Sequence, residues 1–262
     1  MTKKYAVLGK PISHSKSPLI HREAFRFLNA DSTYDSFELG ENLRLFLESH
    51  SEYSGFSVTM PLKDEAFRVS YELDDVAQAT KSVNTLLHTP DGWQGHNTDA
   101  FGIQMAVRGF KAEKAVVLGA GATARSAVWA LRSLGSEVSI WGRSADKTSD
   151  LASQYSIKVE DNIAETANYD LVISTLPAMA LDEFIAQIPE PRGTLLDVAY
   201  QPWPSKAATH WGKQGKAISG IEMLLWQAIA QQRLFSGIGK GESLPNEDEL
   251  VAAVRAALSM AQ

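Results

Sequence analysis

The stretch from residue 114 to residue 135, KAVVLGAGATARSAVWALRSLG, constrains the fold more than any other part of the chain. An apolar run of strand-forming residues leads into a glycine loop, and an alanine-rich helical segment follows as far as Gly135. Further strand-like runs occur at EVSIWGRS, YDLVISTLP and GTLLDVAY. Strands that alternate with helices predict a doubly wound, Rossmann-like parallel sheet, and we place this domain at residues 101–220.

The first hundred residues have the same α/β character and predict a separate domain. Strands are expected at residues 5–9, 33–39 and 55–59, and a hairpin is expected around the Pro90-Asp91-Gly92 turn. A helix is expected to begin at Ser17, with that serine as N-cap and Pro18 in the first turn. Helices at residues 221–262 are expected to return to this domain, the last one starting in a capping box, 246–249.

Composition excludes several classes of protein. The chain has 262 residues, a formal net charge of −6, 44% hydrophobic residues and no cysteine. This balance excludes disorder and collagen, and the missing thiols exclude a disulfide framework, Cys-ligated zinc and a cysteine nucleophile. The six histidines show no metal-binding spacing, so no metal is expected. Basic residues are not interleaved with aromatic ones, so no nucleic-acid partner is expected.

The amino-terminal sequence indicates a cytoplasmic protein. Two lysines precede only four apolar residues, which is too few for the core of a signal peptide. An apolar run of about 18 residues, as a membrane helix requires, is also missing from the sequence. We therefore expect no membrane association.

The glycine loop predicts a dinucleotide site. It has the pattern G-x-G-x-x-A between a strand and a helix: the first glycine permits the tight turn, the second admits a pyrophosphate, and the small alanine lets helix and strand approach. The helix N-terminus that follows favours an anion. A turn that only packs is the alternative interpretation. The residues assigned to the cofactor here are Gly119, Ala120, Gly121, Ala122 and Thr123.

The next strand indicates which dinucleotide is bound. An NAD-binding protein commonly carries an acid about 20 residues after the loop, where it binds the ribose 2′-hydroxyl. Here the strand runs into Gly142, Arg143 and Ser144, without an acid. An arginine suits a 2′-phosphate, so the sequence predicts NADP(H), with Lys147 as a further cation. A solvated surface arginine is the alternative.

Ordered blocks along almost the whole chain resemble the shikimate dehydrogenase family. They are GKPISHSKSP at 9–18, VTMPLK at 58–63, VNT at 83–85, NTD at 97–99, GAGATAR at 119–125, DVAYQP at 197–202 and GIEMLLWQ at 220–227. The sequence departs from the family pattern at Ala122, commonly glycine, and at Gly142, commonly asparagine. The resemblance implies reversible, NADPH-dependent reduction of 3-dehydroshikimate to shikimate, in the pathway of aromatic amino-acid biosynthesis.

The resemblance also implies roles for individual residues. Lys63 and Asp99 would be the catalytic pair, and Val198 and Gly220 would join the cofactor site. The substrate would be bound by Ser15, Ser17, Thr59, Asn84, Asp99, Tyr200 and Gln227.

The chemistry of these residue types agrees with those roles. Two serines separated by one residue at a helix start can face one carboxylate, although Ser17 could equally be a plain N-cap. A lysine in a first helical turn opposes the helix dipole, so Lys63 needs another reason for its position; an exposed, solubilising lysine is the alternative. Asp99 could likewise be an ordinary acid at a helix N-terminus.

Two other functions remain open at this point. One is a dehydrogenase that also accepts quinate or prefers NAD, and Arg143 argues against the NAD preference. The other is a ligand sensor without catalysis, and the presence of Lys63 with Asp99 argues against it. The sequence is compatible with a monomer or a homodimer.

Overall fold

The computed structural model describes residues 2–239 and 241–261, which form two compact units. The first unit comprises Met1–Thr98 and Leu225–Gln262, and the second comprises Asp99–Leu224. The predicted domain limits at residues 1 and 262 lie outside the described residues. The terminal segment from Leu225 belongs to the first unit, as does the last helix.

The first unit contains a six-stranded mixed sheet with the strand order β2-β1-β3-β5-β6-β4. Its strands are β1 (Lys3–Gly9), β2 (Ser32–Glu38), β3 (Gly55–Val58), β4 (Glu72–Leu73), β5 (Thr85–Thr89) and β6 (Gly92–His96). Strands β1, β2 and β3 are parallel, whereas β5 pairs antiparallel with both β3 and β6. The predicted hairpin is the β5–β6 pair.

Helices cover both faces of this sheet. They are α1 (Ser17–Phe27), α2 (Leu43–Ser49), α3 (Lys63–Val69), α4 (Asp75–Thr80), α10 (Glu247–Met260) and the part of α9 (Gly220–Phe235) that begins at Leu225. Along β1, Ala6 and Leu8 join one buried cluster, whereas Tyr5 and Val7 join another with Phe235. This alternation buries both faces of β1, because successive side chains of a strand point to opposite sides.

The second unit contains a six-stranded sheet that is parallel throughout. Its strands are β7 (Lys114–Leu118), β8 (Glu137–Trp141), β9 (Lys158–Val159), β10 (Leu171–Ser174), β11 (Thr194–Asp197) and β12 (Lys216–Ser219). The spatial order is β12-β11-β10-β7-β8-β9, which counted from β7 is 6-5-4-1-2-3. This is the order of a Rossmann dinucleotide-binding fold, so the predicted fold class is confirmed.

The second unit begins with a helix, α5 (Asp99–Ala106), and further helices connect most of its strands. These helices are α6 (Ala122–Ser133), α7 (Ala145–Tyr155), α8 (Lys206–Trp211) and two 3₁₀ helices, Ile163–Asn168 and Asp182–Gln187. The strand order reverses between β7 and β10, and ligands of open α/β sheets bind at the carboxyl ends of the strands beside such a reversal. The topology therefore places the candidate nucleotide site beside the end of β7.

Two sequence predictions about helix capping are wrong. The first turn of α1 begins at Ser17 itself, and the N-cap position belongs to Lys16, without a side-chain cap. Before α10, Asn246 has a left-handed backbone with φ of 51° and makes no side-chain cap bond. Glu247 instead accepts hydrogen bonds from the Leu244 N–H and the Arg233 guanidinium, which replace the expected capping box.

Candidate active site

The loops after β1 and β3 lie side by side at one edge of the first sheet. The N–H of Thr59 donates to the carbonyl of Leu8, and the N–H of Lys10 donates to the carbonyl of Met60. A Cβ atom on Gly9 would lie 2.3 Å from Cγ2 of Thr59, so only glycine permits this approach. The two predicted substrate loops, which carry Ser15 and Thr59, are therefore neighbours.

The serine pair lies at the start of α1. The N–H of Ser17 donates to Oγ of Ser15 at 3.3 Å, and Ser17 is buried whereas Ser15 is half-buried. The side chain of Ser15 thus accepts a hydrogen bond from a backbone N–H of the first turn, as a capping side chain does. Ser17 is the first residue of the helix and not its N-cap, so the interpretation of this serine as a plain N-cap is wrong.

Lys63 is the first residue of α3 and is only 9% exposed. The solubilising, exposed lysine considered from the sequence is therefore wrong. Its backbone carbonyl accepts from the N–H of Val83, which places α3 beside the segment that carries Asn84. Asp64 and Glu65 follow in the same turn and offset the unfavourable position of a cation at a helix N-terminus.

Asn84 is buried and its amide orientation is fixed. Its Oδ1 accepts from the backbone N–H of Thr98 at 2.9 Å and from the hydroxyl of Thr85 at 2.9 Å. Since a backbone N–H can only donate, the atom facing Thr98 must be the oxygen. The Nδ2 group is then directed to Oε1 of Gln227 at 3.3 Å. Two predicted substrate ligands, Asn84 and Gln227, are thereby brought into contact.

A buried polar network lies next to this pair, and sequence reasoning missed it. Gln231, one helical turn after Gln227, donates through Nε2 to the carbonyl of Asn84 and to the hydroxyl of Thr85. Its Oε1 accepts from the hydroxyl of Ser57 at 2.8 Å and faces Nε2 of His21 at 3.1 Å. The signal available in the sequence was a second glutamine four residues after Gln227, since residues at this spacing share one face of a helix.

His21 is held neutral inside this network. Burial lowers its pKa to about 3, against a smaller opposing effect of the hydrogen bond with Gln231. Its ring stacks on Tyr34 at 4.3 Å, and Nδ1 faces Nε2 of Gln232 at 2.8 Å. An amide NH₂ can only donate, so Nδ1 accepts and the proton resides on Nε2.

In the second unit, the glycine loop lies at the end of β7. Gly119 has φ of +112°, and a Cβ there would lie 2.5 Å from Oγ1 of Thr175 at the end of β10. Gly121 is the N-cap of α6, and no described atom lies within 4 Å of a Cβ built on it. Ala124 is fully buried where the helix meets the sheet. This loop has the open approach and the helix N-terminus that a pyrophosphate requires.

The remaining residues predicted for the cofactor share the carboxyl edge of this sheet. Gly142, Arg143 and Ser144 follow β8, and both Arg143 and Ser144 are exposed. A Cβ on Gly220 would lie 2.0 Å from the carbonyl oxygen of Val198, which explains the glycine there. The N–H of Val198 donates to Ser174 at the end of β10. Ala120, Ala122 and Thr123 complete the loop at the start of α6.

The loop after β11 is anchored by a buried carboxylate that the sequence did not single out. Asp197 accepts from the hydroxyl of Ser205 at 3.2 Å and from the N–H of Ala199 at 3.3 Å. It therefore joins the two ends of the loop that carries Tyr200. Burial raises the pKa of Asp197 to about 6, against hydrogen bonds that favour the charged form.

Asp99 begins α5 in the second unit and is buried. It follows Thr98, which donates to Asn84, directly along the chain. Within this block, Thr98 is hydrogen-bonded to Asn84, and the next residue, Asp99, is the first residue of α5.

The described residues contain neither a metal-binding cluster nor a membrane-spanning helix. Among residues 2–239 and 241–261, no three or more His, Asp or Glu side chains are grouped so that they could hold a metal ion. No helix in the described part of the chain is long and apolar enough to cross a membrane.

Comparison with known proteins identifies the family. Residues 7–86 match the model of the shikimate dehydrogenase substrate binding domain, and residues 103–183 match that of shikimate / quinate 5-dehydrogenase. The NADP(+) shikimate dehydrogenase of Syntrophobacter fumaroxidans is 30% identical over 251 residues, covering 88% of this chain and 86% of that protein. The chain belongs to the shikimate dehydrogenase family. The predicted family, enzyme class and NADP cofactor are thereby confirmed.

Solved structures of the family share the fold. Shikimate dehydrogenase of Mycobacterium tuberculosis is 35% identical with a TM-score of 0.86, covering 97% of this chain and 99% of that one. The Thermus thermophilus enzyme in complex with NADP(H) and shikimate is 27% identical with a TM-score of 0.85, with the same coverage. The chain also matches the pentafunctional AROM polypeptide of Candida tropicalis at 32% identity, spanning 90% of this chain but only 17% of that polypeptide.

Proposed function

We propose that this enzyme catalyses the reversible reduction of 3-dehydroshikimate to shikimate with NADPH. The observation that carries the proposal is Lys63, a lysine only 9% exposed at the start of α3, beside the segment that carries Asn84, which in turn contacts Gln227. Burying a charged side chain costs free energy unless partners compensate it, so this is not the place of an ordinary solubilising lysine. A proton donor next to a polar, hydroxyl-binding cluster is what reduction of a hydroxylated ketone needs.

The residues of the second unit fit a dinucleotide. The empty space above Gly121, the backbone approach at Gly119 and the first turn of α6 suit a pyrophosphate, and the exposed Arg143 suits a 2′-phosphate. Gly220 packs on the carbonyl of Val198, where a Cβ would clash, so the chain after β12 runs close to the loop after β11. When bound there, NADPH supplies the hydride.

The residues of the chain perform the other steps. Ser15 and Ser17 bind the substrate carboxylate, and Thr59, Asn84, Gln227 and Tyr200 bind its hydroxyl groups. Lys63 gives a proton to the carbonyl oxygen as the hydride reaches the carbonyl carbon, so that the ketone becomes an alcohol and the lysine becomes neutral. Asp99 assists as its carboxylate partner, and water then returns the proton to Lys63.

Quinate is retained as a second candidate substrate. The family model for residues 103–183 is named for both shikimate and quinate, and quinate shares the ring carboxylate and neighbouring hydroxyls. A non-catalytic sensor has no need of a buried lysine in this position. The oligomeric state and the cytoplasmic location stay predictions.

A steady-state assay of the purified protein tests the proposal. Shikimate and quinate are each oxidised with NADP⁺ and with NAD⁺, and formation of the reduced nucleotide is followed by absorbance. The proposal expects the highest kcat/KM for shikimate with NADP⁺. Activity with quinate alone, or none with either substrate, would refute it, and a higher kcat/KM with NAD⁺ would refute the role given to Arg143.

A further inference from the structure

The turn after β8 requires a residue without a side chain at position 142. A Cβ on Gly142 would lie 2.4 Å from Oγ1 of Thr148 and 3.6 Å from its Cβ. Gly142 does not have a left-handed backbone, so the requirement for glycine there is one of space. The atom that takes this space belongs to a side chain of the next element, α7.

Thr148 has little freedom to move away. It is 2% exposed, and its Oγ1 donates to the carbonyl of Ser144 at 2.7 Å, the same carbonyl that accepts from its own N–H at 3.0 Å. A β-branched side chain in a helix has few χ1 rotamers. The hydroxyl is therefore held beneath the turn, and it fixes the Ser144 carbonyl at the N-cap of α7.

The turn is fixed at its other end by the glycine loop. The carbonyl of Trp141 accepts from the N–H of Gly119 at 2.8 Å. Only Gly142 and Arg143 lie between Trp141 and Ser144, and Arg143 is exposed. The two hydrogen bonds thus set where the Arg143 backbone lies relative to the pyrophosphate loop.

We propose that Thr148 is a positioning residue for cofactor choice: its hydroxyl fixes the turn that presents Arg143 to the 2′-phosphate, and it excludes any side chain at position 142. The inference rests on the proposed function, in which Arg143 binds that phosphate. Asp146 and Lys147, both exposed, follow on α7, so the charge near the phosphate depends on the orientation of this turn.

The first test is Thr148→Val, which keeps the shape and removes the donor. One intramolecular hydrogen bond corresponds to about a two- to tenfold effect. The KM for NADP⁺ is expected to rise by this factor while the KM for NAD⁺ stays unchanged. Thr166→Val is the matched control, because Thr166 is equally buried and its hydroxyl donates to Ile163 within the same unit. The control should leave the ratio of the two cofactors' kcat/KM unchanged, even if both variants lose thermal stability.

The second test is a double-mutant cycle between Gly142→Ala and Thr148→Ala. Alone, Gly142→Ala is expected to lower the preference for NADP⁺, because its methyl group meets Oγ1 of Thr148. In the Thr148→Ala background that oxygen is gone, so Gly142→Ala should have no further effect. Additive effects on the cofactor ratio, or an unchanged ratio in Thr148→Val, would overturn the inference.

Arg143→Ala separates this failure from a failure of the proposed function. If Arg143→Ala lowers the NADP⁺ preference and Thr148→Val does not, the role of Thr148 alone is refuted. If Arg143→Ala has no effect on the preference, the phosphate contact itself is wrong.

Discussion

The burial of His21 makes the stability of the enzyme depend on pH in a defined way. In the unfolded chain its imidazole has the ordinary pKa of 6.5, whereas in the folded protein burial lowers the pKa to about 3. Below pH 6.5 the unfolded chain therefore binds a proton that the native protein does not bind. The free energy of unfolding then falls as the pH falls from about 6.5, and the loss levels off near pH 3.

The size of the effect follows from the two pKa values. At pH 5 the imidazole of the unfolded chain is about 30 times more often charged than neutral, and each factor of ten corresponds to about 1.4 kcal/mol. The free energy of unfolding should thus be about 2 kcal/mol lower at pH 5 than at pH 7.5 through His21 alone. This is a sizeable fraction of the total stability of a typical domain.

The assay is urea unfolding at pH 7.5 and pH 5, followed by circular dichroism. His21→Gln should be less stable than the wild type at pH 7.5, because it loses the ring stacked on Tyr34. Its loss on going to pH 5 should nevertheless be about 2 kcal/mol smaller than that of the wild type. Contributions from other groups, including Asp197, are present in both proteins and cancel.

His88→Gln provides the control, since His88 lies exposed on β5 and has no part in the buried network. It should retain the full pH dependence of the wild type. Equal losses in the wild type and in His21→Gln would refute the reasoning. That result would indicate that Gln232 turns its Oε1, which has no hydrogen-bond partner among the described residues, toward a protonated His21 ring.

Four further outcomes are expected. Lys63→Ala should lower kcat by about 10² to 10⁴ and change the KM for shikimate little, as measured by initial rates, because a proton donor acts mainly in the transition state. Ser15→Ala should raise the KM for shikimate and leave the KM for NADP⁺ unchanged; the opposite pattern would contradict its placement in the substrate site. Arg143→Ala should raise the KM for NADP⁺ by about 10- to 100-fold and barely change that for NAD⁺, since a charge-assisted hydrogen bond contributes about 1.5–3 kcal/mol. Asp197→Asn should raise the melting temperature at pH 7.5, because the raised pKa makes ionised Asp197 destabilising above about pH 6. The gain in melting temperature should shrink towards zero as the pH falls to about 4. An equal gain at both pH values would contradict the ionisation of Asp197 as its cause.

Most of the fold could be predicted from local signals in the sequence. The glycine loop could be interpreted from the sequence because strand, turn and helix N-terminus are contiguous, and each is favoured by the residues that form it. The alternation of strands and helices predicted the parallel sheet for the same reason. The β5–β6 hairpin was equally local, since the turn residues Pro90 and Asp91 lie directly between its two strands.

Local signals failed in the capping of two helices. Asn246 and Glu249 have the spacing of a capping box, but Glu247 is engaged by Arg233 from another helix, and the backbone of Asn246 becomes left-handed. Ser17 has the residue type of an N-cap, but the helix begins one residue earlier than that assignment requires. The exact ends and caps of helices are the least certain part of a sequence-based prediction.

The sequence by itself determined the order of strands and helices, the glycine loop with its helix, and the set of polar blocks that marks the family. Only the tertiary structure decided that Gln231 on α9 meets His21 on α1 and Asn84 before β5, and that Thr148 lies beneath Gly142. The physical reason is that hydrogen bonds between residues far apart in the chain, and the space left for a single methyl group, depend on how whole elements pack. No local propensity encodes that packing.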